Sequence, residues 1–410
     1  MKLNNIIAIV LSALMLVSVL SGCKNDKKDN ETASDSSTES KMPETDEEWH
    51  NAMIEKSMVT YGNATAMQEK IKKAQAGEEV TVAYLGGSIT EGLTAGPSQC
   101  WARLTYEHFA EKYGTGENVK YCNAGLSGTP SKLGILRLKR DVLVNNPDIC
   151  FVEFAVNDAD DGDHRNAYES IVRDLLEKDV AVVLLFSVTE QDYSCQDYMK
   201  AIGNHYQLPM ISYCDALRYM FENNRMTWKD FSDDQSHPNV YGHELVAEMV
   251  NHYFDTVTDV ESEVYNMPSQ PLNTPRQSGA DIYENTNLKP ESSGSWEDGS
   301  TISDFKNGWS HQENAGNKPL VLKFKAKFAY LIYKEVGGGD KYGKAHIKIT
   351  CNGEPYNELE LNSVHSSGWG NPEIMVLGMQ TEAMEYEVEI SMADGDENKL
   401  FQVLGIGYTM

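Results

Sequence analysis

The hydrophobic and polar positions divide the chain into two regions of different periodicity. Between residues 49 and 256, short unbroken apolar runs alternate with segments in which apolar residues recur every three or four positions. Unbroken runs are typical of strands that are covered on both faces, and the longer spacing is typical of amphipathic helices. The alternation predicts a parallel sheet with helices on both sides. Its strands are predicted at residues 80–85, 119–123, 149–155, 180–186 and 210–212.

The C-terminal third follows a different pattern. Pro, Ser, Asn and Glu dominate from about residue 257, as they do in linkers. Apolar and polar residues then tend to alternate, which is typical of strands with one face buried, at residues 320–328, 346–350, 386–390 and 400–404. We therefore predict an α/β domain at residues 49–256, a linker at 257–274, and an antiparallel β-sandwich domain at 275–410.

The N-terminus has the pattern of an export signal. Lys2 precedes an apolar run at residues 6–20, which is shorter than the ~20 residues of a membrane-spanning helix. The following Leu20-Ser21-Gly22-Cys23 resembles the bacterial lipobox. This resemblance implies a signal peptide at residues 1–22, lipidation of Cys23, and a cell-surface protein anchored by lipid to the outer face of a bacterial membrane. The polar residues 23–48 are predicted to form a flexible tether.

Composition narrows the possible partners. The chain has 35 Lys and Arg against 62 Asp and Glu, a formal net charge of −27, so no nucleic-acid partner is expected. Neither a metal-ligand set nor a cofactor motif is evident, and the acidic run at residues 158–163 lacks the spacing of a calcium-binding EF-hand. The six cysteines after Cys23 form no CxxC pair, so sequence leaves open whether they are buried thiols or disulfides.

Candidate catalytic groups follow the predicted strands. In such sheets the loops at the carboxyl ends of the strands build the site. The first three loops carry Ser88, Gly125 and Asn157, and a later loop carries Asp234 and His237. An imidazole can activate a serine hydroxyl, and a carboxylate can orient the imidazole. Backbone N–H groups of Ser88 and Gly125, with the side-chain amide of Asn157, could stabilise an oxyanion.

Two of these assignments have rivals nearby. His243 lies six residues after His237 and is an alternative base. Asp233 precedes Asp234 and is an alternative acid. Spacing favours His237 and Asp234, because a carboxylate three positions before an imidazole can bend back to reach it.

Four ordered blocks resemble the SGNH (GDSL-like) hydrolase family: Gly-Gly-Ser-Ile-Thr around Ser88, then Gly125, then Asn157, and finally Asp234-x-x-His237-Pro238. The resemblance implies a flavodoxin-like three-layer α/β/α fold and a serine esterase mechanism without a metal. Ser88 would be the nucleophile, His237 the base and Asp234 the acid that orients it, with Ser88, Gly125 and Asn157 forming the oxyanion hole. Family members commonly have Asp before the serine, whereas this chain has Gly87.

We therefore expect an extracytoplasmic serine esterase or acylhydrolase that removes O-acetyl groups from carbohydrate. The expected surface location, the second domain and the lack of a long apolar lid segment favour this substrate. A lysophospholipase, a general short-chain esterase, an acetyl transferase and a non-catalytic carbohydrate-binding surface lipoprotein are the alternatives. Aromatic residues of the second domain could stack on sugar rings or fill the sandwich core, and they include Trp309, Trp369, Tyr330 and Tyr342.

Overall fold

The computed structural model of the protein describes residues 42–273 and 277–410. The predicted signal peptide, Cys23 and nearly all of the predicted tether lie outside these residues. Residues 43–410 form one compact unit. Within the described ranges, no helix is both long and apolar enough to span a bilayer.

The first part of the unit alternates strands and helices. Its helices are α1 (Asp46–Ser57), α2 (Thr65–Gln75), α3 (Ser88–Glu91), α4 (Trp101–Tyr113), α5 (Ser131–Asp141), α6 (Gly162–Leu176), α7 (Gln196–His205), α8 (Tyr213–Glu222), α9 (Trp228–Phe231) and α10 (Val240–Thr256). Its strands are β1 (Met58–Thr60), β2 (Val80–Gly86), β3 (Val119–Gly125), β4 (Ile149–Glu153), β5 (Ala181–Phe186) and β6 (Met210–Ser212). The five predicted strands are therefore present.

These strands form one six-stranded sheet in the order β1-β6-β5-β4-β2-β3. All neighbours pair in parallel except β1, a short edge strand antiparallel to β6 that the sequence pattern did not reveal. The parallel strands, counted along the chain, follow the flavodoxin-like order 2-1-3-4-5. In this order the chain reverses direction across the sheet between β2 and β4, where ligands bind in doubly wound folds.

Alternate residues of the central strands point into two different cores. One face, with Val82, Tyr84 and Phe151, packs against α1, α2, α4, α8 and α10. The opposite face, with Leu85 and Val152, packs against α5, α6 and α7. This is the three-layer α/β/α arrangement that the SGNH resemblance implies.

The C-terminal part is an antiparallel β domain. Its strands are β7 (Asp281–Tyr283), β8 (Trp296–Asp298), β9 (Trp309–His311), β10 (Leu320–Lys334), β11 (Lys344–Cys351), β12 (Glu354–Asn362), β13 (Pro372–Met392) and β14 (Phe401–Thr409). The two long strands β10 and β13 shift register where Ala326, Phe328 and Ala329 pair, which bends the sheet. Residues from β8, β11, β13 and β14 consequently meet in one core, as in the predicted β-sandwich.

The β domain also shares a core with the α/β domain. Phe328, Tyr330 and Leu404 are buried with Leu136 and other residues of α5 and α6. At Gly407 the contact is so close that a Cβ would lie 2.5 Å from Cδ1 of Leu136. The packing is continuous across this junction, so the domain boundary near residue 257 stays a prediction.

The shared core leads to a test of cooperativity. Replacing Leu136, which is 1 % exposed, with Ala should cost about 2–5 kcal/mol because it leaves a cavity between the domains. Both domains should then unfold together at lower denaturant concentration, as followed by tryptophan fluorescence and far-UV circular dichroism. Val144→Ala, at a side chain that is 67 % exposed, is the control and should change little. Two separate transitions would contradict the shared core.

Candidate active site

The turn after β2 places Ser88 at the carboxyl edge of the sheet. Gly86 ends the strand, Gly87 precedes α3, and Ser88 is the first residue of that short helix. A Cβ on Gly87 would lie 2.3 Å from Oδ1 of Asn157, so only glycine allows the Asn157 side chain to lie this close. This contact gives a local steric reason for Gly87, at a position where related sequences commonly have Asp.

A loop before α10 brings the acid and the imidazole to this serine. Oγ of Ser88 lies 2.9 Å from Nε2 of His237. Nδ1 of His237 lies 2.7 Å from Oδ2 of Asp234. An N–H at Nδ1 donates to the carboxylate, which leaves Nε2 free to accept the serine proton. The structure thus brings these three predicted residues together in one hydrogen-bonded chain.

The side chain of Asp234 also shapes its own loop. Its Oδ1 accepts hydrogen bonds from the backbone N–H groups of Ser236 and His237, both at 2.7 Å. Partial burial opposes ionisation, but these N–H groups and the His237 ring outweigh it and lower the pKa of Asp234. The carboxylate is therefore ionised at neutral pH and holds the imidazole from one side.

The rival residues do not reach the serine. His243 is fully buried, and its Nδ1 accepts the backbone N–H of Trp101 at 3.2 Å. Burial lowers the pKa of His243 to about 4, so this imidazole is neutral at pH 7. His237 is the ring at Ser88, and Asp234 rather than Asp233 is the acid in contact with it.

Two predicted oxyanion donors are placed near the nucleophile. The backbone N–H of Ser88 meets no acceptor among the described residues. The amide of Asn157 lies against Gly87, and its Nδ2 is the group that can donate to an oxyanion. The buried Oδ1 of the same amide has no hydrogen-bond partner within those residues and is an acceptor, so it would pair with a donor group of a ligand rather than with the oxyanion.

The structure corrects the prediction for Gly125. Its N–H donates to Oδ1 of Asn123 at 2.8 Å and is not available to an oxyanion. Gly125 is needed for packing instead, because a Cβ there would lie 2.1 Å from the backbone N of Glu91. Gly128, three residues on, has a backbone N–H without an acceptor in the described chain and lines the same cavity as Asn157. Gly128 therefore replaces Gly125 as the candidate donor.

A cavity of about 240 Å³ adjoins these donors at the junction of the two domains. The α/β domain contributes Lys132 and His164, and the β domain contributes Glu373, whose carboxyl pKa is raised by burial. Trp369, also from the β domain, is 60 % exposed and lies against Gly128, where its Cζ2 is 2.8 Å from the position of a Cβ. Sequence patterns could not reveal this cavity, because its walls come from distant segments.

A larger cavity of the described chain, of about 1220 Å³, lies elsewhere. Its lining includes Asp148 and Val180, which precede β4 and β5 at the amino edge of the sheet. Ser88 and Asn157 follow strands at the carboxyl edge. We place the chemistry beside the smaller cavity, because Gly128 and Asn157 line it and Asn157 lies against Gly87, the residue before Ser88.

The other residues considered in the sequence analysis lie in cores, in helix caps or in hydrogen bonds with neighbouring residues. Trp309 is buried in the core of the β domain, Tyr330 is buried in the core shared with α5 and α6, and Tyr342 is half-buried beside Lys334. In the acidic run, the Asp158 carboxylate is buried and accepts from Ser131, while others cap α6 or pair with neighbours. The six described cysteines are unpaired thiols: Cys100, Cys122, Cys150, Cys195, Cys214 and Cys351.

Comparisons with known proteins agree with this fold. Residues 84–245 match the sequence profile of the GDSL-like Lipase/Acylhydrolase family. A crystal structure of a two-domain esterase active on acetylated mannans, co-crystallised with mannopentaose, is 24 % identical, with a TM-score of 0.76 over 87 % of this chain and 97 % of that one. A second structure of a two-domain esterase active on acetylated mannans is 22 % identical, with a TM-score of 0.74 over 87 % and 98 %. No match was found among curated proteins. These similarities establish a shared two-domain fold.

The site geometry predicts different effects for the two histidines. His237→Ala should abolish ester hydrolysis, because Ser88 loses the group that accepts its proton, and a loss of about 10³-fold or more in kcat is expected. His243→Gln retains an acceptor for the N–H of Trp101 and should keep kcat within a few-fold of wild type. Both are measured by hydrolysis of p-nitrophenyl acetate, with thermal unfolding as a check on folding. Equal losses in the two variants would refute the assignment.

Proposed function

We propose that this chain, whose residues 84–245 match the GDSL-like Lipase/Acylhydrolase family, is a carboxylic ester hydrolase that removes O-acetyl groups from carbohydrate. The observation that carries the chemistry is the continuous hydrogen-bonded chain from Asp234 through His237 to Ser88. These three side chains lie at the carboxyl edge of the sheet, near the point between β2 and β4 where the chain reverses direction across the sheet.

The proposed reaction has two halves. The hydroxyl of Ser88 attacks the acetyl carbon while Nε2 of His237 takes its proton, and Asp234 stabilises the resulting imidazolium. The N–H groups of Ser88 and Gly128, with the amide of Asn157, bind the negative oxygen that develops. The imidazolium then gives its proton to the departing sugar hydroxyl. Water, activated by the same imidazole, finally releases acetate from the serine.

The character of the adjoining cavity supports a carbohydrate rather than a lipid. Its walls carry an ammonium group, an imidazole and a carboxyl from Lys132, His164 and Glu373. These groups can hydrogen-bond to sugar hydroxyls, whereas a long acyl chain offers them no hydrogen-bond partner. The exposed Trp369 offers a flat apolar surface next to the oxyanion donors, which suits the face of a sugar ring. The activity named for the structurally similar two-domain esterases, on acetylated mannans, agrees with this substrate class.

The alternatives are less well supported. A lysophospholipase needs an apolar groove at the nucleophile, and the cavity beside Asn157 is polar. A carbohydrate-binding protein without activity has no use for a hydroxyl, an imidazole and a carboxylate aligned within hydrogen-bond distance.

The substrate proposal predicts a selective effect at Trp369. Wild-type enzyme should release acetate from acetylated mannan or xylan oligosaccharides in preference to hydrolysing long-chain p-nitrophenyl esters. Trp369→Ala should raise KM for the oligosaccharide by about 3- to 10-fold, because stacking is lost, and should leave ethyl acetate hydrolysis unchanged. Tyr356→Ala, at an exposed aromatic residue of β12, is the matched control. A preference of the wild type for long acyl chains would favour the lipid alternative.

We also propose that the enzyme is a lipoprotein exposed outside the cytoplasm, on the strength of Leu20-Ser21-Gly22-Cys23. Bacteria expressing the full chain and fed an alkyne-labelled palmitate should label the wild-type protein. Cys23→Ser should abolish this labelling because the acceptor thiol is gone, whereas Cys351→Ser should retain it. Undiminished labelling of the Cys23 variant would contradict the proposal.

A further inference from the structure

Two buried side chains of opposite charge lie beneath the nucleophile turn and take no part in the Ser88–His237–Asp234 chain. Arg137, on α5, is 1 % exposed, and Glu153, the last residue of β4, is fully buried. Burial lowers the pKa of Arg137 and raises that of Glu153, so holding either side chain in its charged form inside the protein costs free energy. Their hydrogen bonds show which parts of the chain they fix in place.

Arg137 binds the ends of two strands. Its Nη2 donates to the carbonyl oxygen of Gly86 at 2.9 Å, and its Nη1 donates to the carbonyl oxygen of Ala124 at 2.6 Å. These carbonyls terminate β2 and β3, from which the nucleophile turn and the loop to Gly128 depart. The guanidinium therefore joins the two turns on which the candidate oxyanion donors Ser88 and Gly128 lie.

Glu153 binds the nucleophile turn from the other side. Its Oε2 accepts a hydrogen bond from Oγ1 of Thr90 at 3.0 Å, and its Oε1 accepts one from Oγ of Ser187 at 2.5 Å. Thr90 lies two residues after Ser88, so the carboxyl is bound to the chain on the C-terminal side of the nucleophile, whereas Arg137 is bound on its N-terminal side through Gly86.

Arg137 and Glu153 bind the chain on the two sides of Ser88, at the carbonyl of Gly86 and at the side chain of Thr90. A peptide group is planar, so fixing the Gly86 carbonyl restrains the direction in which the chain enters Gly87 and Ser88, while the bond to Thr90 restrains α3 on the other side. We propose that Arg137 and Glu153 are positioning residues that hold the nucleophile turn on both sides and thereby aim the hydroxyl and the N–H of Ser88. This inference rests on the proposed role of Ser88 as the nucleophile.

We expect Arg137 and Glu153 to affect kcat more than KM. A misplacement of about 1 Å at reacting atoms can cost 10²-fold in rate. Neither buried side chain lines the cavity assigned to the sugar, so substrate affinity should change little.

The experiment compares Glu153→Gln and Arg137→Lys with two matched variants. Glu169 is also fully buried but binds Tyr206 and the backbone of Leu272 and Asn273, remote from the nucleophile turn. Arg173, 4 % exposed, binds Tyr206 and the carbonyl of Pro268. Glu169→Gln and Arg173→Lys therefore report the cost of disturbing a buried ionic group without touching the turn.

Four quantities are measured for each variant: kcat and KM on an acetate ester, the rate at which a fluorophosphonate labels Ser88, and Tm. Glu153→Gln and Arg137→Lys should lose about 10- to 100-fold in both kcat and labelling rate, with KM within about 2-fold. The Glu169 and Arg173 variants should lose comparable Tm while keeping kcat and labelling rate near wild type.

Labelling at the wild-type rate in the Glu153 and Arg137 variants would overturn the proposal. So would losses of kcat and labelling rate that follow the loss of Tm to the same extent in all four variants. If Glu153→Gln does not fold, Ser187→Ala removes one donor to Glu153 with a smaller disturbance. It should lower the labelling rate relative to Ser170→Ala, a buried serine that binds the carbonyl of Asn166, and an unchanged rate would count against the proposal. Failure of the wild-type enzyme to label at Ser88, with Ser88→Ala as reference, would instead overturn the nucleophile assignment.

Discussion

The close approach of the nucleophile turn to the neighbouring strand ends is the steric constraint on which the site depends. A Cβ at Gly86 would lie 2.2 Å from Oγ1 of Thr90, and a Cβ at Gly125 would lie 2.1 Å from the backbone N of Glu91. Both distances are far below van der Waals contact. Any larger side chain at these positions would lift α3 away from β3 and move Ser88 relative to the loop that carries His237.

The two halves of the site are held by different means. Ser88 lies in a buried turn, fixed by glycine packing and by polar groups beneath the sheet edge. His237 lies on a partly exposed loop, where the local hydrogen bonds of Asp234 replace packing. Because one oxygen of Asp234 shapes the loop and the other orients the ring, the loop conformation and the tautomer of the imidazole depend on the same side chain.

The sequence predicts the sheet well, because fully buried strands such as β4 and β5 appear as unbroken apolar runs. It does not reveal β12, whose residues are mostly exposed and whose apolar alternation is limited to Leu359 and Leu361. Ser88 and His237 are recognisable by type and spacing. Choosing Gly128 over Gly125 is not possible from sequence, since the choice depends on which N–H already has an acceptor. Likewise, Trp309 and Trp369 look alike in sequence and differ only in burial.

The shared core implies that the β domain helps to shape the active site instead of acting as a tethered module. Gly407 of β14 packs on Leu136 of α5, and β14 pairs with β10. Beyond the end of β10, the loop that carries Trp369 is held by backbone hydrogen bonds to Glu335 and Val336. The same helix α5 begins just after Gly128. A shift between the domains would therefore move Trp369 relative to Gly128, so the continuous packing that stabilises the fold also holds together the walls of the cavity beside Asn157.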